Sequence, residues 1–190
     1  MDMKAMMAEQ KEEMLRDKWI QSEKAGRDLG ERQMIQWTRE HGAEWRAGYN
    51  LRHLLDNHPQ YFGIFLTETS KGDLAQTFGA MIPNGWRPYM DHVTLYFGNP
   101  IGKRDDIAKY IAWHLGQSVD IHISSLGASP DAMAIGVYGS FPCNNARPHI
   151  TLAVPPDGKP VNSNKITSWA ELRTDFSLRG VVDTFPRQFG

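Results

Sequence analysis

In His92-Val93-Thr94-Leu95, and again in His149-Ile150-Thr151-Leu152, a histidine and a threonine stand two positions apart in an apolar run. Alternate side chains of a β-strand share a face, so each His and its Thr project together while Val93, Leu95, Ile150 and Leu152 point the other way. Two such strands facing each other would surround one pocket with two imidazoles and two hydroxyls. An imidazole titrates near pH 6.5, so one ring can accept a proton while the other gives one, and hydroxyls donate to anionic oxygens. That set suits acid–base chemistry on a bound phosphate. The repetition carries the signal, because a single His-x-Thr would more simply be a hydrogen-bonded histidine inside a strand.

The elements that must hold these residues follow from the pattern along the chain. Residues 3 to about 25 are proline-free and rich in Met, Glu, Lys and Ala, which predicts a helix ended by Gly26. Asp28, with Glu31 reaching back, has the spacing of a capping box and opens a second helix through Ile35 and Trp37, broken or bent at Gly42. A third helical stretch is expected from about Glu44 to Asn57, stopped by His58-Pro59, with Trp19, Trp37 and Trp45 as packing residues. From Tyr61 the period changes to that of strands: 61–67, 91–98, 119–126, 133–138, 148–154 and one or two more within 175–184, with short helices at 71–81 and 105–115. The hairpin between 119–126 and 133–138 is expected to turn through 127–131. Without a regular βαβ alternation, the class is α+β with largely antiparallel sheet. The expected division is a helical extension over 1–58 and a catalytic domain over 59–190.

The paired tetrapeptides resemble the signature of the 2H phosphoesterases. Neighbouring residues are similar to one branch, that of 2′,3′-cyclic nucleotide 3′-phosphodiesterase and the cyclic phosphodiesterase domain of fungal-type tRNA ligases. Tyr61-Phe62-Gly63-Ile64-Phe65-Leu66-Thr67 resembles its first strand and Leu178-Arg179-Gly180-Val181-Val182 its last; Arg147 precedes the second histidine by two residues, and Pro160-Val161 follows it. The likeness runs from about Tyr61 to Gly190 and leaves out the first 60 residues. It implies a two-lobed fold with antiparallel sheets around a central cleft, and metal-independent opening of 2′,3′-cyclic phosphates of nucleosides or RNA ends to 2′-phosphates, in RNA repair or processing. It also implies that His149 deprotonates water, that His92 protonates the departing 3′ oxygen, and that Thr94 and Thr151 hold the phosphate. Arg147, Phe62, Tyr96, Pro160 and Val161 are the expected substrate contacts, Phe62 and Tyr96 by stacking on the base. The same four residues serve other phosphodiesters, so 2′-5′ linkages and cyclic oligonucleotide signals, as in phage anti-defence enzymes, stay open. So does a non-catalytic RNA- or nucleotide-binding module.

Composition sets bounds on all of these. The 190 residues carry 21 basic and 22 acidic side chains, for a net charge of −1, so nothing draws the whole chain to nucleic acid and any RNA contact is local. No cofactor is expected. No metal is expected either, because His41, His53, His58, His114 and His122 lack a helical His-Glu-x-x-His spacing and cysteine partners. The single cysteine, Cys143, reads as a packed residue in a reducing compartment. The opening residues read as neither a signal peptide nor a membrane span, so the expected location is cytoplasmic with no membrane partner.

Overall fold

The computed structural model describes residues 3–187. The chain divides into two compact units, Met1–Asn57 and His58–Gly190. In the first, α1 (Met3–Ala25) and α2 (Gly30–Leu55) form a hairpin. Gln33 donates to Asp17 at 2.9 Å and the Thr38 hydroxyl reaches the Met14 sulfur at 3.6 Å, so later residues of α2 meet earlier ones of α1, as an antiparallel pair requires.

Three expectations fail in this unit. Gly42 neither breaks nor bends the chain into separate helices, since α2 runs unbroken through it. A Cβ there would lie 3.2 Å from the Gln10 amide, so the glycine serves close helix–helix approach. The capping box also does not form. Leu29 occupies the cap position with no side-chain bond, and Asp28, one residue earlier, accepts from the Gly30 N–H at 2.9 Å and pairs with Lys18 at 3.0 Å. Trp37 is buried, whereas Trp19 is 62 % exposed and is not a packing residue within the described chain.

The second unit is α+β, as the sequence implies. Its strands are β1 (Tyr61–Leu66), β2 (Arg87–Pro88), β3 (His92–Phe97), β4 (Ser118–Ser129), β5 (Ala132–Tyr138), β6 (His149–Val154), β7 (Trp169–Glu171) and β8 (Ser177–Phe185), with α3 (Glu68–Phe78) and α4 (Asp105–His114) between them. All the strand ladders are antiparallel. The strand order is β2-β6-β3-β1-β8-β4-β5, and β5 pairs again with β6, so six strands close into a ring. β3 and β6 meet in that ring through one residue pair, Val93 with Ile150.

Apolar burial explains the closure. Ile64, Val93, Leu95, Ile121, Ile135, Ile150, Leu152 and Val182 all have 0 % exposure, and α3 and α4 add Leu74, Ile107 and Ile111 to the buried set. α3 starts three residues before its expected onset because Thr67 caps it, accepting from the Ser70 N–H at 3.2 Å. The β4–β5 turn is tighter than expected: Ser129 pairs with Ala132, leaving Pro130 and Asp131 at the tip, and the Ser129 hydroxyl accepts from both Asp131 and Ala132 N–H groups. β7 and a 3-10 segment at Pro160–Lys165 fill the stretch between the strands expected at 148–154 and within 175–184.

Candidate active site

On β3, Val93 and Leu95 are fully buried while His92, Thr94 and Tyr96 are half-buried, the alternation that the pattern requires. On β6, Ile150 and Leu152 are fully buried, Thr151 is half-buried and His149 is 8 % exposed. His92, Thr94, His149 and Thr151 line one cavity of about 670 Å³. The two strands meet at Val93 and Ile150, the residue between His and Thr on each, so both His/Thr pairs flank the same contact. Because a single pair joins the two strands, they can splay to either side of it and leave room for a ligand.

Glycine makes part of this possible. A Cβ on Gly63 would come within 2.8 Å of the Val93 carbonyl, so only glycine on β1 lets β3 lie where it does. Beside it the β1–β3 register slips. Gly63 pairs with Thr94 and Phe62 with Tyr96, so Leu95 is the extra residue of a β-bulge. The slip sets Phe97 opposite Tyr61. Phe97, 74 % exposed, lines the cavity, and its ring lies 6.3 Å from that of Tyr61. Phe185 stacks on the other side of Tyr61 at 5.2 Å and 7°. These three rings from adjacent strands form an aromatic wall.

The two histidines are held differently. His92 Nδ1 lies 3.2 Å from an Asp91 carboxylate oxygen, and the other oxygen of Asp91 is 2.7 Å from the Lys71 ammonium. Its ring stacks on Tyr61 at 4.9 Å. The His92 hydrogen bond and the Lys71 charge hold the Asp91 carboxyl far below the usual range, so it is ionised and accepts from Nδ1–H. Partial burial, with the nearby Asp91 carboxylate, pushes the half-buried Tyr61 phenol up to about 12, so it stays neutral.

Neither ring nitrogen of His149 bonds to a carboxylate among the described residues. Its Nδ1 lies 2.8 Å from the Arg147 carbonyl, an acceptor only, so Nδ1 carries a hydrogen, and Nε2 lies 2.9 Å from the Ser163 hydroxyl. Burial lowers its pKa below the usual histidine value, with the charge of His92 adding to that, against the opposing pull of the Arg147 carbonyl. The ring is neutral at pH 7.

The expected substrate contacts separate. Tyr96, Pro160 and Val161 line the cavity. Phe62 is a correction: it has 0 % exposure, because the pleat of β1 turns it into the core and gives the cavity face to Tyr61. The Arg147 side chain is a second correction. Its guanidinium donates to Ser125 at 3.0 Å, lies 3.4 Å from Glu171 and stacks 5.1 Å over the Trp169 ring, outside the lining, and only its carbonyl serves His149. Cys143 is packed, its thiol donating to the Thr94 carbonyl at 3.1 Å and pushed up by burial. Among the described residues no group of three or more His, Cys, Asp or Glu side chains is placed to hold a metal ion. Nor, among them, is any helix long and apolar enough to cross a membrane.

Asp91, Tyr61, Phe97, Phe185 and Ser163 belong to the cavity and were not expected there. For Asp91 a signal existed, since a carboxylate directly before a strand histidine can reach its ring. For Ser163 none did.

No protein-family model matches this chain, and no curated protein is similar to it. Among solved structures, the crystal structure of a fungal RNA kinase is similar, with a TM-score of 0.46 and 14 % identity over 65 % of this chain and 44 % of that one. This chain thus spans less than half the length of that protein.

Proposed function

We propose that the protein is a metal-independent phosphodiesterase that opens 2′,3′-cyclic phosphates, at RNA 3′ ends or on nucleosides, to 2′-phosphates. The observation that carries this reading is the convergence of His92, Thr94, His149 and Thr151 on one cavity walled by Tyr61, Phe97 and Phe185.

In this reaction water adds to phosphorus as the bond from phosphorus to the 3′ oxygen breaks. His149, kept neutral by burial, takes the proton of the water. His92, turned so that Nδ1–H bonds to Asp91, presents Nε2 to the substrate and gives its proton to the departing 3′ oxygen. Thr94 and Thr151 donate to the non-bridging oxygens as charge grows on them. The aromatic wall offers stacking, which tolerates any terminal base.

The test is incubation with 2′,3′-cyclic AMP in the presence of a chelator. Release of 2′-AMP is the expected result; release of 3′-AMP would contradict the assignment of His92, and inertness with retained binding would leave a nucleotide-binding module. The rate should follow a bell-shaped pH curve. A base works unprotonated and the His149 pKa is lowered, so the acid limb is expected to have its midpoint below pH 6.5.

A further inference from the structure

Ser163 is 2 % exposed and sits in the 3-10 segment that closes one side of the cavity. Three groups crowd its hydroxyl oxygen: His149 Nε2 at 2.9 Å, Thr151 Oγ1 at 2.8 Å and the Pro160 carbonyl at 2.6 Å. The serine has one hydrogen to give. The Pro160 carbonyl can only accept, the Thr151 hydroxyl can donate, and His149 can do either at Nε2 depending on its proton.

Counting hydrogens couples these groups. Because Nδ1–H is committed to the Arg147 carbonyl, a charged His149 also donates from Nε2. Ser163 then accepts from both Nε2 and Thr151, sends its own hydrogen to Pro160, and every contact is satisfied. A neutral His149 presents a lone pair at Nε2. The Ser163 hydrogen must then turn away from Pro160 to Nε2, leaving that carbonyl only the longer approach of the Thr151 hydroxyl, at 3.5 Å, in place of its short side-chain bond. We propose that Ser163 is a positioning residue whose hydroxyl turns between the Pro160 carbonyl and His149 Nε2 with each proton that the ring gains or loses, holding Thr151 in place throughout.

Two consequences follow. The buried hydroxyl holds the neutral ring in one orientation before substrate arrives, and water must take its place at the Nε2 lone pair for the ring to act as base. The charged form keeps one hydrogen bond more than the neutral form, so Ser163 favours protonation and opposes the effect of burial. The other charged or titratable groups around His149 are His92 and Asp91 on the β3 side, Arg147 on its own approach and Glu171 from β7; Lys165 ends the 3-10 segment. None of them is attached to Ser163, so removing its hydroxyl isolates this effect.

The inference uses the proposed reaction only for what the proton does; the hydrogen count rests on geometry. The experiment is an NMR titration of the His149 ring in the wild-type chain, in Ser163→Ala, which removes the hydroxyl, and in Ser163→Cys, which keeps the size with a weak hydrogen-bonding group. Thermal unfolding serves as the check on folding, and Ser163→Cys remains informative if the alanine variant unfolds. The midpoint is expected to fall by about one pH unit in both variants, the scale of a lost bond to a charged group. The acid limb of turnover should move with it, and kcat should drop about tenfold or more with KM little changed. A His149 titration unaltered in a folded variant would overturn the proposal. Shifted titrations in a chain inert toward 2′,3′-cyclic AMP would keep Ser163 in its role and reject the cyclic phosphate.

Discussion

β3 and β6 carry the same pattern, His-x-Thr-Leu, yet they place their histidines in opposite surroundings. His92 has a side-chain exposure of 25 %, leans on Tyr61 and points Nδ1 at an ionised carboxylate anchored by Lys71. His149 is buried, with a carbonyl on one nitrogen and a hydroxyl on the other. The motif therefore places the rings, and the residues around it decide which proton each ring keeps. A carboxylate fixes His92 with a hydrogen on Nδ1, whereas burial without a countercharge keeps His149 neutral. The division into acid and base that the resemblance implies is consistent with that asymmetry, which the four matched residues alone do not contain.

The most severe way to break the comparison is to remove each ring in turn. His92→Ala and His149→Ala are each expected to lower turnover of 2′,3′-cyclic AMP by about 10³-fold, within the usual range for a positioned proton-transfer group. Single-turnover assays at several pH values would sharpen the asymmetry: the acid limb should vanish in His149→Ala and survive in whatever activity His92→Ala retains. Either variant keeping full activity would sink the shared-site reading.

The threonines test the symmetric half of the picture. Each lines the cavity beside the histidine of its own strand, so Thr94→Val and Thr151→Val are both expected to cost about 10²-fold in kcat, the scale of one lost donor to a charged transition state. Thr151 is also tied to Ser163. Its variant should therefore disturb the His149 titration, and the Thr94 variant should not.

How much of this was legible in the chain depends on which physical rule governed each residue. The α+β class and the placement of His92, Thr94, His149 and Thr151 rest on strand periodicity, which is local. The wall was misread at two places where local rules fail. Phe62 and Tyr61 differ only in pleat parity, and parity is fixed by which face of β1 the ring of strands encloses. Tyr96 keeps its place at the cavity, but the bulge at Leu95 brings Phe97 there as well, and a bulge is set by the partner strand. Gly42 misled for a related reason: its Gln10 neighbour lies on another helix. Ser163 reaches His149 across a turn-rich loop whose path no periodicity describes.

Asp91→Asn probes the β3 side alone. The amide no longer accepts as an anion from Nδ1–H and no longer pairs with Lys71, so His92 should lose its fixed orientation and kcat should fall about tenfold, while the His149 titration stays within error. Stability gives an independent readout. The Asp91 carboxyl is lowered in the folded chain, so its contribution is present above its ordinary value near 3.8 and is lost as pH falls below that toward the folded value. Thermal unfolding should therefore find wild type more stable than the variant at pH 7, with the gap narrowing by pH 3. A constant gap would mean that the Asp91–His92 contact does not select the ionised form.

Phe97→Ala carries the smallest expected effect and the sharpest bearing on the substrate. The ring is exposed and lies beside that of Tyr61, so the fold loses little without it. Base stacking on an aromatic is worth about 1–3 kcal/mol, and an exposed ring belongs at the low end, which corresponds to a rise in KM of about fivefold with kcat nearly unchanged. The same variant assayed with a cyclic phosphate that lacks a base should match wild type. If KM rises equally for both compounds, Phe97 acts through the shape of the cavity and not through the base, and the aromatic wall would have to be reassigned from base recognition to packing around His92.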